Sequence, residues 1–549
     1  MADLAFADEH ILFQPAVPDA DATPVIFAFP NEYTVGITSL GYQVVWATLA
    51  QRNDVRVSRL FTDCHEPLPT DPALLGFSLS WELDYGNLMG VLESLDIPLW
   101  ASDRTADHPL VFGGGPVLTA NPEPFADFFD VILLGDGERL LDDFIDAYRA
   151  VRDCGRTAQL KHLAQVPGVY VPSLYAVTYS APDGPVQSVQ PIDSDVPATV
   201  QKQTYRGNVL SASTVVTEKA AWESIYMVEV VRSCPEMCRF CLASYLTLPF
   251  RTASVEASLI PAIERGLQVT NRLGLLGASV TQHPAFETLL DYLNRPAYDD
   301  VRVSIASVRT NTVNRKLAET LVKHQTRSIT IAVESGSEQV RRIVNKKLTN
   351  DEIIEAAVQA KTGGLSALKL YGMAGIPGET MDDLAQTAEM MLAIKKAAPG
   401  LRLTLGCSTF VPKSHTPFQW FGVNSAAEKR LKYLQKQLRS RGIDFRPESY
   451  NWSVIQALIS RGDRRLSRLL ERVRHYGDSL GSYRRAFKDM RGQLPPLDFY
   501  VHQSWPTDQP LPWDHLAGPL PKATLAKHLT SAFEGITDIE QPTPPLVQV

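Results

Sequence analysis

The chain is poor in cysteine, with six in 549 residues, too few and too scattered for a disulfide scaffold. It lacks any run approaching the roughly 18 consecutive apolar residues that a membrane helix needs. The first ten residues, M-A-D-L-A-F-A-D-E-H, have neither a basic stretch nor an apolar core, so they do not read as a signal peptide. Basic charge is not in excess either: the formal net charge is −8, which argues against a protein that coats nucleic acid over its whole surface. Internal repeats are absent. With 44% hydrophobic and 21% charged residues the composition is that of a globular protein, and the expectation is a cytoplasmic chain of several domains with no membrane partner.

Against this background the placement of the cysteines stands out. Cys64, Cys154 and Cys407 are isolated, but Cys234, Cys238 and Cys241 fall within eight residues, in V-V-R-S-C-P-E-M-C-R-F-C-L-A-S-Y. Three thiolates on one loop want a soft metal. Structural zinc normally takes four protein ligands, most often as two CxxC-type pairs. Here the CxxxCxxC loop supplies three, and no further Cys or His follows until His283. A cube of four irons held by three cysteines leaves one iron open to a chelating substrate, which points to a catalytic iron–sulfur cluster.

The surrounding pattern is α/β. Over residues 25–140, short apolar runs (25–29, 55–60, 74–79, 110–112 and 131–134) alternate with helical periodicity, as in a doubly wound parallel sheet covered on both faces. Ligands of such sheets bind beyond the C-terminal strand ends. Two glycine-rich turns lie there, Gly113-Gly114-Gly115-Pro116 and Gly135-Asp136-Gly137-Glu138. Residues 178–200 are rich in Pro, Asp and Ser and read as linker. Six further strand candidates follow, at 225–231, 275–280, 301–305, 328–333, 367–371 and 403–409, with helices between them. Six βα repeats suggest a partial (β/α)6 barrel of the TIM type, whose chemistry gathers at the C-terminal strand ends. The three-cysteine loop follows the first of these strands. Residues 427–491 carry 17 Lys and Arg against 7 Asp and Glu and contain an amphipathic stripe at Leu466, Leu469, Leu470 and Val473. The expected division is an N-terminal arm (1–24), a Rossmann-type domain (25–177), a linker (178–220), a barrel (221–425) and a mainly helical basic region (426–549) with a Pro-rich tail at 541–545.

On these residues the chain resembles the radical S-adenosylmethionine (SAM) enzymes, whose signature is CxxxCxΦC with an aromatic before the third cysteine, here Phe240. It resembles in particular bacterial members with an N-terminal cobalamin-binding-type domain, through A-F-P-N-E-Y-T-V-G, G-F-S-L-S-W-E-L-D-Y, G-G-G-P-V-L-T-A-N-P-E-P-F and F-V-P-K-S-H-T-P-F-Q-W. The resemblance implies a 4Fe-4S cluster on Cys234, Cys238 and Cys241, and SAM chelated to the open iron and cleaved on reduction by a flavodoxin- or ferredoxin-type donor. It further implies contacts to SAM from Phe240, from Ser307 and Arg309 after the third barrel strand, from Glu334 after the fourth, and from Gly375 and Gly378 in G-M-A-G-I-P-G-E after the fifth. The usual Gly-Gly-Glu turn that holds the methionine amino group is replaced by Leu276-Gly277-Ala278-Ser279, leaving Gly277 alone in that position. Cobalamin is implied for the N-terminal domain, with Gly113, Gly114 and Gly115 admitting its nucleotide tail, although the Asp-x-His-x-x-Gly loop of histidine-ligating domains is absent. Radical SAM methylthiotransferases need three more N-terminal cysteines, and only Cys64 and Cys154 are present. The expected activity is therefore a cobalamin-dependent radical SAM reaction, with methyl transfer as one outcome. The alternatives are a cobalamin-independent rearrangement, dehydrogenation or C–C bond formation, or modification of RNA through the basic 427–491 segment, whose bland counterpart is a solvated helical face.

Overall fold

The computed structural model describes residues 6–477 and 479–536. The Pro-rich tail at 541–545 and the first five residues of the arm lie outside the described residues.

The N-terminal sheet is built from β1 (Thr23–Ala28), β2 (Val55–Leu60), β3 (Leu74–Ser78), β4 (Leu110–Gly114), β5 (Val131–Leu133) and β6 (Val169–Tyr170), in the spatial order β2-β1-β3-β4-β5-β6. The first five strands are parallel and β6 is antiparallel to β5. β3 and β4 are almost wholly buried, as strands with helices on both faces must be, which is why they read as continuous apolar runs rather than alternating ones. The order reverses at β1, so the crevice between the loops after β1 and β3 is the topological switch point.

The barrel region carries β7 (Ile225–Glu229), β8 (Arg272–Leu276), β9 (Arg302–Ile305), β10 (Ser328–Glu334), β11 (Ala367–Ala374) and β12 (Arg402–Thr409). Six parallel strands are present, in two arcs joined by a bridge between Val308 and Ile331. Five match the expected runs, and the second lies at Arg272–Leu276 instead of 275–280, because Gly277 at positive φ ends it and Val280–Gln282 is a helical turn. A seventh, β13 (Asp444–Pro447), extends the second arc beyond β12. It falls inside the region read as mainly helical, because an edge strand of four residues with one buried apolar side chain, Phe445, leaves no periodicity to detect.

Two further expectations need correction. Residues 178–220 are not a free linker. Tyr175–Tyr179 and Val186–Pro191 form an antiparallel hairpin, and the Pro, Asp and Gly that suggested a linker belong to its turn. Val200–Gln201 then pairs with Leu516–Ala517, and the backbone of Gln203 bonds to that of Leu134 and Asp136. Nor is the 427–491 segment a freely solvated basic face. Leu466, Leu469, Leu470 and Val473 belong to the same apolar core as the N-terminal sheet, which also takes in Trp505 and Trp513. Two of its arginines reach under the surface, Arg464 pairing with Glu123 at 3.1 Å and Arg465 lying over the ring of Tyr179 at 3.7 Å, while Arg474 pairs with Glu93 and Arg468 covers the ring of Trp100 at 3.9 Å from the exposed side. Part of the positive charge, at Arg430, Arg461, Arg464 and Arg465, is thus engaged inside the molecule, while Lys432, Lys436, Arg472, Arg484, Arg485 and Lys488 are exposed. Among the described residues no helix is long and apolar enough to cross a membrane.

Candidate functional site

The cysteine loop is closed at its base. Immediately after β7 the chain forms a two-residue strand, Val231–Arg232, that pairs antiparallel with Arg251–Thr252 in the register Val231 to Thr252 and Arg232 to Arg251. Residues 233–250, with all three cysteines, are therefore a loop on a short stem. The stem is anchored on the N-terminal domain. Arg251 donates to the Asp136 carboxylate at 2.5 Å, and Arg232 approaches Asp136 at 3.5 Å and Glu138 at 2.7 Å. Asp136 stands directly before the helix Gly137–Val151, at the glycine turn after β5. That turn is tight: Gly135 has φ of +117°, and a Cβ there would lie 2.1 Å from the carbonyl oxygen of Gln203.

Within the loop, Ser233 and Met237 adopt positive φ (71° and 53°), a conformation that requires outside support in residues other than glycine. The support is visible. The Asn345 amide donates to the carbonyls of Glu236 and Met237 at 3.0 and 2.9 Å. The Tyr245 hydroxyl reaches the Met237 carbonyl at 3.3 Å, and the Arg239 guanidinium donates to the carbonyls of Arg342, Ile343 and His528 at 2.8–2.9 Å. Glu236 accepts from Gln282 at 2.6 Å and pairs with Arg309 at 3.0 Å. The backbone N–H of Cys241 donates to the carbonyl of Cys238, and Cys241 begins the helix Leu242–Leu246.

All six cysteines carry free thiols. Burial pushes the Cys238 thiol up to about 12, with the Lys346 ammonium working in the opposite direction, and burial raises Cys241 as well. Such thiols stay protonated without a metal and release their protons to one. Among the described residues no three side chains of the ligating types are gathered as they would be around a single metal ion. A cube asks for something else, one thiolate for each of three irons, and three free thiols on one preorganised loop match that donor set. Cationic side chains for an anionic cluster are also at hand: Lys346, nearly buried and paired with Glu334 at 3.1 Å, and Arg239 within the loop.

The other expected residues distribute as follows. Phe240 is half-buried and packs against the larger core. Gly277 closes the end of β8 at φ of +149°, where a Cβ would lie 2.6 Å from Val231, so the turn is held tight against the stem of the cysteine loop. Ser307 is half-buried. Arg309, expected to meet a carboxylate of SAM, pairs with Glu236 of the cysteine loop, and Glu334 pairs with Lys346 at φ of +65°. Gly375 and Gly378 both have positive φ, and the space beside them is filled by Asn424 and Ala427 and by Ile343 and Phe533. In the N-terminal domain the structure separates the three glycines. A Cβ on Gly113 would strike Phe129 and Leu118, so its smallness serves internal packing and not a ligand. Gly114 and Gly115 line a cavity of about 230 Å³ at the C-terminal edge of the sheet, walled by Phe27, Val45, Phe77 and Leu141 with Arg232 at its border. Glu236, Arg239, Asn345, Lys346 and Asp136 are the participants that sequence reasoning missed. The first two carried a signal, being charged residues between the three cysteines; the others are brought to the loop only by folding.

A three-cysteine loop at the C-terminal end of the first strand of a βα barrel, joined to a doubly wound domain, defines an enzyme that works through an iron–sulfur cluster. Residues 62–172 match the family described as radical SAM proteins, N-terminal, and residues 228–391 match the radical SAM superfamily. The chain belongs to the radical SAM superfamily and is an enzyme of that class, so SAM and a 4Fe-4S cluster are its cofactors. It is 26% identical over 460 residues to an uncharacterised protein of Methanocaldococcus jannaschii, spanning 81% of this chain and 90% of the relative. It is 24% identical over 290 residues to an uncharacterised methyltransferase of Pyrococcus horikoshii, spanning 51% of this chain and 57% of that one. Among solved structures, the radical SAM methyltransferase TsrM of Kitasatospora setae, with cobalamin and a 4Fe-4S cluster bound, aligns with a TM-score of 0.48 and 12% identity over 72% of this chain and 73% of its own.

Proposed function

We propose that Cys234, Cys238 and Cys241 ligate the cluster, that the N-terminal cavity takes cobalamin, and that the reaction is methyl transfer to an unactivated position of the substrate. The observation that carries this reading is the junction of the two sites: Arg232, on the stem of the cysteine loop, borders the N-terminal cavity and is ion-paired to Glu138 at that cavity's rim. A cofactor in the cavity would lie against the element that presents the cluster. The relatedness of part of the chain to an uncharacterised methyltransferase is in keeping with it.

When bound, the cluster and SAM supply hydrogen abstraction and cobalamin supplies a transferable methyl group. The chain's own part is to hold and shield. Asn345, Arg239 and Tyr245 fix the loop backbone, so the thiols are presented without a large ordering cost. Arg309 and Gln282 hold Glu236, so that carboxylate has two partners of its own. The apolar walls of the cavity, Phe27, Phe77 and Leu141, suit a flat aromatic group, and Gly114 leaves the room: a Cβ there meets nothing closer than 3.7 Å. A flavodoxin- or ferredoxin-type protein would supply the electron.

Anaerobic reconstitution tests the parts separately. The parent protein should bind iron, retain cobalamin on gel filtration, and form 5′-deoxyadenosine from SAM with dithionite. Cys238→Ala should abolish 5′-deoxyadenosine formation. Gly114→Leu should keep the iron and lose the cobalamin, because the cavity is filled while the loop is untouched. Retention of cobalamin by Gly114→Leu at the parent level refutes the assignment of the cavity.

A further inference from the structure

A second concavity, of about 580 Å³, borders the C-terminal end of the cysteine loop. It is lined by Gln201, Lys202, Gln203, Thr204, Arg206, Leu248, Pro249, Pro519 and Leu520. In a chain with net charge −8 this lining holds two cations and no acidic residue.

Lys202 is the unusual member. It is only 7% exposed, held by the pairing of its strand with Leu516–Ala517, and its ammonium donates to the Thr204 hydroxyl at 3.0 Å. Among the described residues neither Lys202 nor Arg206 has a carboxylate within ion-pairing distance. Burial lowers the Lys202 pKa; Asp136 opposes this from a distance, but that carboxylate is already engaged by Arg251. A buried ammonium without a counter-ion is costly to the fold, and such groups persist where something else supplies the charge. Arg206, exposed at the mouth, offers a planar fork suited to carboxylate or phosphate. Opposite the cations, Leu248, Pro249, Pro519 and Leu520 provide an apolar wall.

We infer that this concavity is a binding site for an organic anion, with its carboxylate or phosphate on Lys202 and Arg206 and its apolar part against Leu248, Pro249, Pro519 and Leu520. Two of those wall residues, Leu248 and Pro249, belong to the cysteine loop itself, so the bound anion would rest on the segment that carries the thiols.

The site does not depend on the chemistry proposed above, and its test reads binding rather than turnover. The full reconstituted chain is titrated by calorimetry with phenyl phosphate and with phenylacetate, and with benzyl alcohol as the uncharged control. Saturable binding of at least one anion, weakening with added salt and absent for the alcohol, is expected. Lys202→Met should weaken it about tenfold or more, the usual effect of losing a charge-assisted hydrogen bond. Arg206→Ala, an exposed change that cannot unfold the chain, should weaken it severalfold and guards against misfolding of the first variant. No saturable binding of either anion, or binding that both variants leave unchanged, overturns the inference. Intact iron content and 5′-deoxyadenosine formation alongside such a failure would leave the radical SAM reading standing.

Discussion

Asp136→Asn tests whether the stem of the cysteine loop is held by the N-terminal domain. Asp136 is 10% exposed and Arg251 7%. The substitution removes the one carboxylate facing Arg251, which then keeps only the carbonyls of Pro249, Thr247 and Tyr205. Breaking a buried pair in this way typically costs about 3–5 kcal/mol. Two features place the effect at the lower end: asparagine can still accept the N–H of Tyr205, bonded to Asp136 at 2.9 Å, and Arg232 retains Glu138 and Glu229 at 2.7 Å each. The stem has only two paired residues on each side, so it has little independent stability and most of the loss should appear there. A penalty of about 3 kcal/mol corresponds to roughly a hundredfold increase in the open population. Hydrogen exchange read by mass spectrometry should show peptides covering 230–253 losing protection by about two orders of magnitude, while those of the N-terminal sheet change little. Iron uptake on reconstitution should fall in parallel. Unchanged exchange across the stem together with a full iron complement would refute the reasoning.

Two other expectations follow from buried charge elsewhere. Burial lowers both His415 and His515 to about 4, so they stay neutral in the folded chain while the unfolded chain takes up protons near the ordinary histidine value. Between those values the unfolded state binds more protons, and stability must fall as pH drops from about 6.5 toward 4, by up to about 1.4 kcal/mol per pH unit for each histidine. Urea midpoints at pH 7 and pH 5 should differ accordingly, and His415→Gln or His515→Gln should flatten the difference; a parent protein equally stable at both pH values contradicts the assignment. Arg464→Met strips the ion pair from Glu123, which is 1% exposed and left with Tyr170 at 2.5 Å, and it frees the carbonyls of Pro172 and Tyr175. A loss of about 3–5 kcal/mol is expected, read as a lower urea midpoint and faster proteolysis of the 427–536 region. Adding Glu123→Gln should recover part of it, because the stranded charge is then gone; no recovery would locate the penalty in lost packing.

What the sequence disclosed and what it hid divide along a physical line. Information carried within a few residues was legible. The apolar runs of β1 to β5, β7 and β9 to β12 show the period of their own burial, whereas β8 begins three residues before its expected run; three cysteines in eight residues announce a metal chemistry without any tertiary structure. Turn composition was legible but ambiguous: P-D-G between 182 and 184 marks a hairpin turn as well as it marks a linker, and only the pairing of Val186–Pro191 with Tyr175–Tyr179 decides between them. Charge pairing was not legible at all. Nothing local marks Arg464 off from its exposed basic neighbours, yet its partner Glu123 lies 341 positions away in the chain, and the partner of Arg251, Asp136, lies 115 positions from it. The same distance effect hid the helpers of the loop, since Asn345 and Lys346 have no feature of their own that marks them. The three thiols can thus be read from eight letters, whereas the stem beneath them is tied by an ion pair, Arg251 to Asp136, that no local pattern marks. A chain that kept CxxxCxxC and lost Asp136 should keep the motif and hold its stem less firmly.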